Sequence, residues 1–268
     1  MDFLSAFRRE TQAFEAGLRQ ALDVETAPPV PSCPGWSLSD LAGHLGGVHR
    51  FVARILRDRL QEMPDISDLS LYELPADLDG WPRPENAPNL GPVPKALVDW
   101  FTDGAAALEA RFRNTPPDTP VWTWAPERTA AFWLRIQAIE AAVHRWDAQG
   151  AFGTPQPVDT DLAVDAISHN FTVMAPFRRA RRQAPPGAGE RYGFRRTDGA
   201  GRWTVTFEDD AVRLGEGAGE GEGEADTELA GTASDLLLFL WHRLPAEQLD
   251  VSGDQAVLDR YFTLVPPL

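Results

Sequence analysis

Two ionisable side chains, Glu140 and His144, lie four positions apart in a segment with helical periodicity, 127–149. On an α-helix this spacing places both side chains on one face, about one turn apart, where they can hold one ion. Ile136 and Val143 belong to the apolar side of the same helix, and a carboxylate and an imidazole facing a protein interior are costly unless they are paired or bound to a metal. The plain alternative is an ion pair on the helix surface, which spacing alone favours.

Two further polar residues bear on this pair. His44 belongs to a helix predicted to start at Ser37, and a lone histidine among apolar neighbours is more often a core residue than a ligand. Asp147 follows His144 by three positions and can accept a hydrogen bond from the second ring nitrogen, as carboxylates beside metal-bound histidines do. An exposed acid at the end of the helix is an equally good interpretation of Asp147.

The composition restricts the classes of function. The formal net charge is −15, from 25 Lys and Arg against 40 Asp and Glu, so nucleic acid is a poor partner for this chain. No apolar stretch approaches the length of a membrane span. The single cysteine, Cys33, rules out an internal disulfide, and a lone cysteine is usually a small buried hydrophobe. These features, with an amphipathic N-terminus that lacks a signal peptide, predict a cytoplasmic protein without membrane contact.

The sequence lacks the motifs of three common classes: serine hydrolases, P-loop nucleotide-binding proteins and dinucleotide-binding proteins. The sequence has no G-x-S-x-G elbow, no Walker loop and no G-x-G-x-x-G after a predicted strand. The basic run 177–182 is best interpreted as the solvated C-terminal end of a helix, where cations are favourable.

Apolar periodicity predicts four substantial helices in the first part of the chain. They cover 3–22, a segment from Ser37 to about Leu56, 95–112 and 127–149, with a long proline-rich connection at 62–94. Four helices joined by loops indicate a bundle. A fifth helical stretch, 159–174, either closes the bundle or bridges to the next domain.

The pattern changes after about residue 185. Residues 203–207 and 211–214 are predicted strands, 215–226 is a flexible loop of glycine and glutamate, and helices are expected at 234–243 and 254–262. These elements indicate a small α+β domain. The expected fold class is therefore α + (α+β), with a helical bundle over 1–180 and the smaller domain over 185–268.

Several stretches resemble the mycothiol-dependent maleylpyruvate isomerase family. They are SCPGWSLSDLAGHLGGVHR (32–50), FWLRIQAIEAAVHRWDA (132–148), TASDLLLFLWHR (232–243) and VSGD (251–254). The resemblance extends over nearly the whole chain. It implies a DinB-like four-helix bundle followed by a sterol-carrier-like α+β domain.

The resemblance also implies a site. A divalent metal, typically zinc, would be held by His44, Glu140 and His144, which reverses the preference based on spacing alone. An arginine of the C-terminal domain would hold a substrate carboxylate, and Arg243 is the candidate; a solvated cation at the helix end is the alternative. The sequence departs from the common pattern at Ile139, where many relatives have histidine, and at Ile136, where arginine is frequent.

The implied chemistry is coherent. Three protein ligands leave open positions on the metal, as in catalytic sites, and a thiol bound there is deprotonated. The thiolate of mycothiol would add to a small electrophile and either leave again after bond rotation, as in an isomerase, or stay attached, as in an S-transferase. Two rival hypotheses are a hydrolase that uses metal-bound water and a non-catalytic protein that binds a metal and an apolar ligand. The ligand set also suits iron or nickel, so zinc is an expectation drawn from the resemblance.

Overall fold

The computed structural model describes residues 1–215 and 225–267. The chain divides into two compact units, Met1–Gln156 and Pro157–Leu268. None of the helices in the described part of the chain combines the length and apolarity needed to cross a bilayer.

Four long helices build the first unit, as the periodicity predicted. They are α1 (Phe3–Gln20), α2 (Leu38–Asp58), α3 (Lys95–Asn114) and α4 (Ala130–Gly150). Helix α1 packs on α3 and α4, and α2 packs on the same two helices, so the four close around one apolar core. The expected helical bundle is confirmed.

Helix α2, which carries His44, has a well-defined start. The Ser37 side chain accepts from the backbone N–H of Asp40, while the Asp40 carboxylate accepts from the backbone N–H of Ser37. This capping box satisfies backbone donors that the first helical turn leaves without partners. The connection 62–94 contains only two short 3₁₀ turns, Leu69–Tyr72 and Pro84–Asn86, in agreement with the irregular segment predicted there.

A buried ion pair joins α1 to α4. Arg145 Nε lies 2.8 Å from Glu10 Oε2, and both side chains are about 95% removed from solvent. The Arg145 guanidinium also donates to the Gln149 side chain and to the Gln156 backbone carbonyl. Because Arg145 follows His144 directly, these bonds hold the turn of α4 that presents the histidine.

The second unit combines helices with a five-stranded mixed sheet. Its helices are α5 (Thr160–His169), α6 (Ala175–Arg182), α7 (Ala233–Leu240) and α8 (Gln255–Leu264), with a π-helical turn, Asn170–Met174, between α5 and α6. The strands are β1 (Gly187–Arg196), β2 (Arg202–Asp209), β3 (Ala211–Leu214), β4 (Thr227–Gly231) and β5 (Asp250–Gly253), in the order β3-β2-β1-β4-β5. Only the β1–β4 pairing among these strands is parallel. The predicted α + (α+β) class is confirmed.

The structure differs from the sequence-based expectation at the boundary between the two parts. The division falls at Gln156–Pro157, whereas the sequence suggested 1–180 and 185–268. The fifth predicted helix is interrupted by the π-helical turn, and α5 packs against α7 of the second unit. The bond from the Val158 N–H to the Ser234 hydroxyl ties the start of this segment to the same helix. Helical periodicity in 159–174 could not show which core the segment would join.

Two strands were predicted and three were not. The predictions at 203–207 and 211–214 correspond to β2 and β3. Strand β1 (GAGERYGFRR) is rich in glycine and charge, and only its buried Tyr192 and Phe194 show the alternation of a strand. Strands β4 and β5 are short and contain few β-branched residues, so their sequences do not predict strands. Most of the predicted glycine and glutamate loop, 216–224, lies outside the described residues.

Candidate functional site

Helices α2 and α4 bring His44 and His144 together. Their ring centroids are 5.2 Å apart, with the ring planes nearly perpendicular. His44 is exposed to solvent, whereas His144 is only 6% exposed. The ring of Trp36 also contacts His44, at a centroid distance of 5.2 Å. Two residues separated by 100 positions therefore form one imidazole pair that a small molecule can approach from the His44 side.

Asp147 orients the buried member of this pair. Its Oδ2 atom lies 2.9 Å from His144 Nδ1, and its side chain is fully buried. An ionised carboxylate can only accept, so the imidazole donates from Nδ1 and keeps the lone pair of Nε2 for another partner. The alternative interpretation of Asp147, an exposed acid at the helix end, is wrong.

The loop before α2 supplies two further donors to the same carboxylate. The Ser32 hydroxyl donates to Asp147 Oδ1 at 2.6 Å, and the Cys33 thiol lies 3.5 Å from Oδ2. The sulfur therefore contacts the residue that orients His144. The only cysteine of the chain serves as a polar neighbour of the carboxylate rather than as a purely apolar filler.

Glu140 lies one turn before His144 on the same helix and is half-buried. Its carboxylate accepts a hydrogen bond from Gln137 Nε2 at 3.4 Å. The described residues contain no group of three or more His, Cys, Asp or Glu side chains arranged to hold a metal ion as they stand. The structure thus brings two of the three predicted ligands, His44 and His144, into contact, and the third, Glu140, lies one turn from His144 on α4.

The histidine pair fits a divalent metal ion. Because bonds from zinc to imidazole nitrogen are about 2.0–2.1 Å long, two rings bound to one ion lie with their centroids roughly 5 Å apart. The observed separation of 5.2 Å matches this requirement. The bond from His144 Nδ1 to a buried carboxylate is the arrangement that metal-bound histidines commonly show.

A cavity of about 630 Å³ in the first unit opens beside this pair. His44 lies in its wall, and most of the remaining lining is apolar. Five aromatic side chains line it: Trp36, Phe51, Tyr72, Trp81 and Trp100. A concave, mostly apolar pocket with a few polar groups is the usual form of a small-molecule site.

Trp100, in the cavity wall, is held from several sides. Its indole N–H donates to the Tyr72 carbonyl at 3.1 Å, and its ring meets that of Trp81 at 5.3 Å. The buried Arg50 guanidinium lies 4.0 Å from the centroid of the Trp100 ring and donates to its backbone carbonyl at 2.7 Å. A Cβ atom at Gly46 would lie 2.3 Å from the ring, so glycine is required for the indole to lie against α2.

The wall of the cavity carries one carboxylate, Asp40. Burial raises its pKa, but hydrogen bonds from Ser37 and Asn89 outweigh this effect and lower the pKa below its ordinary value. Asp40 therefore stays negatively charged at neutral pH. Within the described lining there is no lysine or arginine.

His49 lies on the same helix as His44 but outside the cavity. Its ring packs against Phe7 and Phe101, it is fully buried, and neither ring nitrogen has a hydrogen-bond partner within the described residues. Burial, together with the nearby Arg50 charge, lowers the pKa of His49 to about 3. It is a neutral core histidine, and it contributes to helix packing rather than to the site.

Arg243 belongs to the second unit, just beyond α7. Its guanidinium donates to the Trp241 carbonyl at 2.9 Å and is partly buried. It is thus more constrained than a freely solvated helix-end cation. Ile136 and Ile139, where the sequence departs from the common pattern, are almost fully buried and do not line the cavity.

Some residues of the site escaped the sequence analysis. The contacts of Ser32 and Cys33 with Asp147 span more than 110 positions, and their only signal was proximity to the tryptophan-containing motif before α2. The cavity aromatics Tyr72 and Trp81 come from the irregular connection, which has no periodicity. The available signal was a long proline-rich segment together with three glycines in the neighbouring helix α2, Gly43, Gly46 and Gly47.

The fold and the site together define a two-unit protein whose helical bundle carries a histidine pair beside a cavity. Residues 7–149 match the mycothiol maleylpyruvate isomerase N-terminal domain, and residues 161–260 match the MDMPI C-terminal domain. The chain therefore belongs to the mycothiol-dependent maleylpyruvate isomerase family.

Solved structures show the same fold. The crystal structure of a histidine-to-alanine mutant of the mycothiol-dependent maleylpyruvate isomerase is similar with a TM-score of 0.60 at 14% identity, covering 94% of this chain and 93% of that chain. The structure titled as the mycothiol-dependent maleylpyruvate isomerase gives a TM-score of 0.57 at 13% identity with the same coverage. No curated protein sequence matches this chain.

Proposed function

We propose that this chain is a metal-dependent enzyme that uses mycothiol to isomerise or conjugate a small electrophile. The observation that carries the proposal is the His44–His144 pair, spaced for a common ion and placed at an apolar cavity. Membership of a family of mycothiol-dependent isomerases supports the choice of thiol and the type of reaction.

In this proposal α2 and α4 supply the ligands. His44 binds from the cavity wall, His144 from the bundle interior, and Glu140 from one turn earlier on α4. A divalent ion, with zinc as the first choice, would supply the charge that keeps a bound thiol ionised. Asp147 holds the ring of His144 in the tautomer that leaves Nε2 free.

The aromatic residues of the cavity and Arg243 are proposed to position the electrophile. The aromatic walls exclude water from the reacting atoms, which strengthens local electrostatic interactions. Arg243 is proposed to hold a substrate carboxylate, because a guanidinium binds a carboxylate through two parallel hydrogen bonds. The proposed compartment is the cytoplasm, where the Cys33 thiol stays reduced.

Metal content tests the ligand set. Elemental analysis of purified protein should give about one divalent ion per chain. Glu140→Gln and His144→Ala should each lose most of it, whereas the matched control Glu85→Gln, at an exposed position, should keep it. Full occupancy in both ligand variants would refute the assignment.

Thiol dependence tests the reaction. Loss or isomerisation of an enone substrate should require added mycothiol. Equal turnover without any thiol would instead support hydrolysis by metal-bound water.

A further inference from the structure

The cavity beside His44 presents aromatic surface from several directions. Trp36 comes from the loop before α2 and Phe51 from α2 itself, Tyr72 and Trp81 from the connection, and Trp100 from α3. Trp81 and Trp100 meet edge to face at 5.3 Å, so their ring planes enclose a corner rather than a flat wall. Such surfaces favour planar apolar groups, which stack on them and lose their hydration.

Close packing of the connection on α2 gives this corner its shape. Gly43 faces Pro82, where an added Cβ atom would come within 3.3 Å of the proline ring. At Gly47 a Cβ atom would meet the Tyr72 ring at 3.7 Å. The absence of side chains at these two positions lets Tyr72 and the segment around Trp81 lie close to the helix that carries His44.

The charge of the cavity opposes an anionic guest. Asp40 is the one carboxylate within the described lining, its lowered pKa keeps it ionised, and no lysine or arginine of the described lining balances it. The whole chain carries a formal net charge of −15, which adds a long-range repulsion of anions. Away from the ion proposed at His44, a carboxylate among these aromatic side chains would lose its hydration without meeting a lysine or arginine of the described lining.

We propose that the part of the substrate that enters this cavity is an uncharged, planar aromatic group conjugated to the reacting double bond. This substrate class deepens the proposed function and rests on it. It separates the protein from an enzyme adapted to maleylpyruvate, which carries a carboxylate at both ends.

A matched pair of enones tests the proposal by binding alone. Benzylideneacetone carries a phenyl ring on its alkene, and β-acetylacrylate carries a carboxylate at the same carbon of the same enone. Both are titrated into the full-length protein by isothermal calorimetry, with the divalent metal present and no thiol added, so that no turnover occurs. Failure of thiol-dependent catalysis would refute the proposed function while leaving this binding preference measurable.

Benzylideneacetone should bind about 10- to 100-fold more tightly than β-acetylacrylate, the ratio expected from burying one phenyl group. Trp81→Ala should weaken the binding of benzylideneacetone about tenfold or more, with Trp81→Phe retaining most of it. The control Trp124→Ala removes another half-buried indole, one that does not line the cavity, and should leave the affinity unchanged.

A charge placed in the cavity should reverse the preference. Val48 lines the cavity one turn beyond His44, and Val48→Lys should improve the binding of β-acetylacrylate relative to benzylideneacetone.

Three results would overturn the proposal. The first is equal or tighter binding of β-acetylacrylate by the unmodified protein. The second is an equal loss of benzylideneacetone binding in Trp81→Ala and Trp124→Ala. The third is mycothiol binding that Trp81→Ala abolishes and Trp124→Ala does not, which would assign the cavity to the thiol.

Discussion

Replacing Asp147 by asparagine removes the charge that orients His144 while keeping the size of the side chain. In the structure three donors converge on this carboxylate: His144 Nδ1 at 2.9 Å, the Ser32 hydroxyl at 2.6 Å and the Cys33 thiol at 3.5 Å. An asparagine offers one carbonyl oxygen and an NH₂ group that can only donate. At least one of the three donors must therefore lose its acceptor.

The consequence for the metal depends on which way the amide turns. With its NH₂ group toward His144, the amide favours the tautomer in which Nδ1 accepts and Nε2 carries the proton, so Nε2 cannot bind an ion. With its oxygen toward His144, the geometry survives but the carboxylate charge that strengthens the ligand is gone. Loss of such a supporting carboxylate weakens metal binding about 10- to 100-fold, or roughly 1.4–2.7 kcal/mol.

Competition with a chromophoric chelator measures this change directly as the dissociation constant for zinc. Asp99→Asn is the matched control, since Asp99 is a largely exposed carboxylate in the same unit whose ion pair among the described residues is with Lys95 at the surface. Ser32→Ala, which removes one donor and leaves the carboxylate, should have a smaller effect than Asp147→Asn. The reasoning is refuted if folded Asp147→Asn binds zinc as tightly as Asp99→Asn does.

Three further predictions concern stability and substrate binding. Arg145→Met removes the buried partner of Glu10 Oε2 but leaves the half-exposed Arg9 at 3.0 Å from Oε1, so it should lower the unfolding free energy in urea titrations by about 1–3 kcal/mol. Adding Glu10→Leu should restore most of this loss, and additive losses would contradict a buried pair. His49 has a pKa of about 3 in the fold against an ordinary value of 6.5, so the unfolded chain takes up the proton first and stability falls as the pH drops below 6.5. In metal-free protein, the unfolding free energy of His49→Leu should fall less steeply below pH 6.5 than that of the wild type, by up to ~1.4 kcal/mol per pH unit. Parallel plots of unfolding free energy against pH for the two proteins would contradict this prediction. Arg243→Lys should raise the KM or lower the turnover of a carboxylate-bearing substrate with metal content unchanged, and wild-type kinetics would exclude the proposed role.

The first unit was largely predictable from local sequence. The four helices follow from apolar periodicity, and the Ser37–Asp40 capping box marks the start of α2 to the residue. The boundary between units was not predictable, because the segment 159–174 is amphipathic and would suit either core. Strand β1 was not predicted because glycines and charged residues are unfavourable in strands. It forms because it pairs with β2 on one side and β4 on the other in the folded sheet.

The sequence identified the two histidines of the site but not the residues that surround them. The family resemblance of two motifs implied a ligand set of His44, Glu140 and His144, and the structure brings the two histidines into contact. Spacing left Asp147 undecided, since three positions along a helix suit both a supporting carboxylate and an exposed acid. The cavity depends on Trp81 and its neighbours in the irregular connection, whose path follows from packing against glycines of α2 rather than from any local pattern.

An ion held by His44 and His144 should bind a small-molecule thiol, and cobalt makes this binding visible. Sulfur bound to Co²⁺ gives an intense charge-transfer band in the near ultraviolet, and Cys33→Ser removes the only protein thiol. Cobalt-loaded Cys33→Ser protein should develop the band when mycothiol is added, and the same protein with His144→Ala should not. Absence of the band at millimolar thiol, in protein shown to hold cobalt, would contradict thiol binding to the ion and leave a metal-water hydrolase as the better explanation.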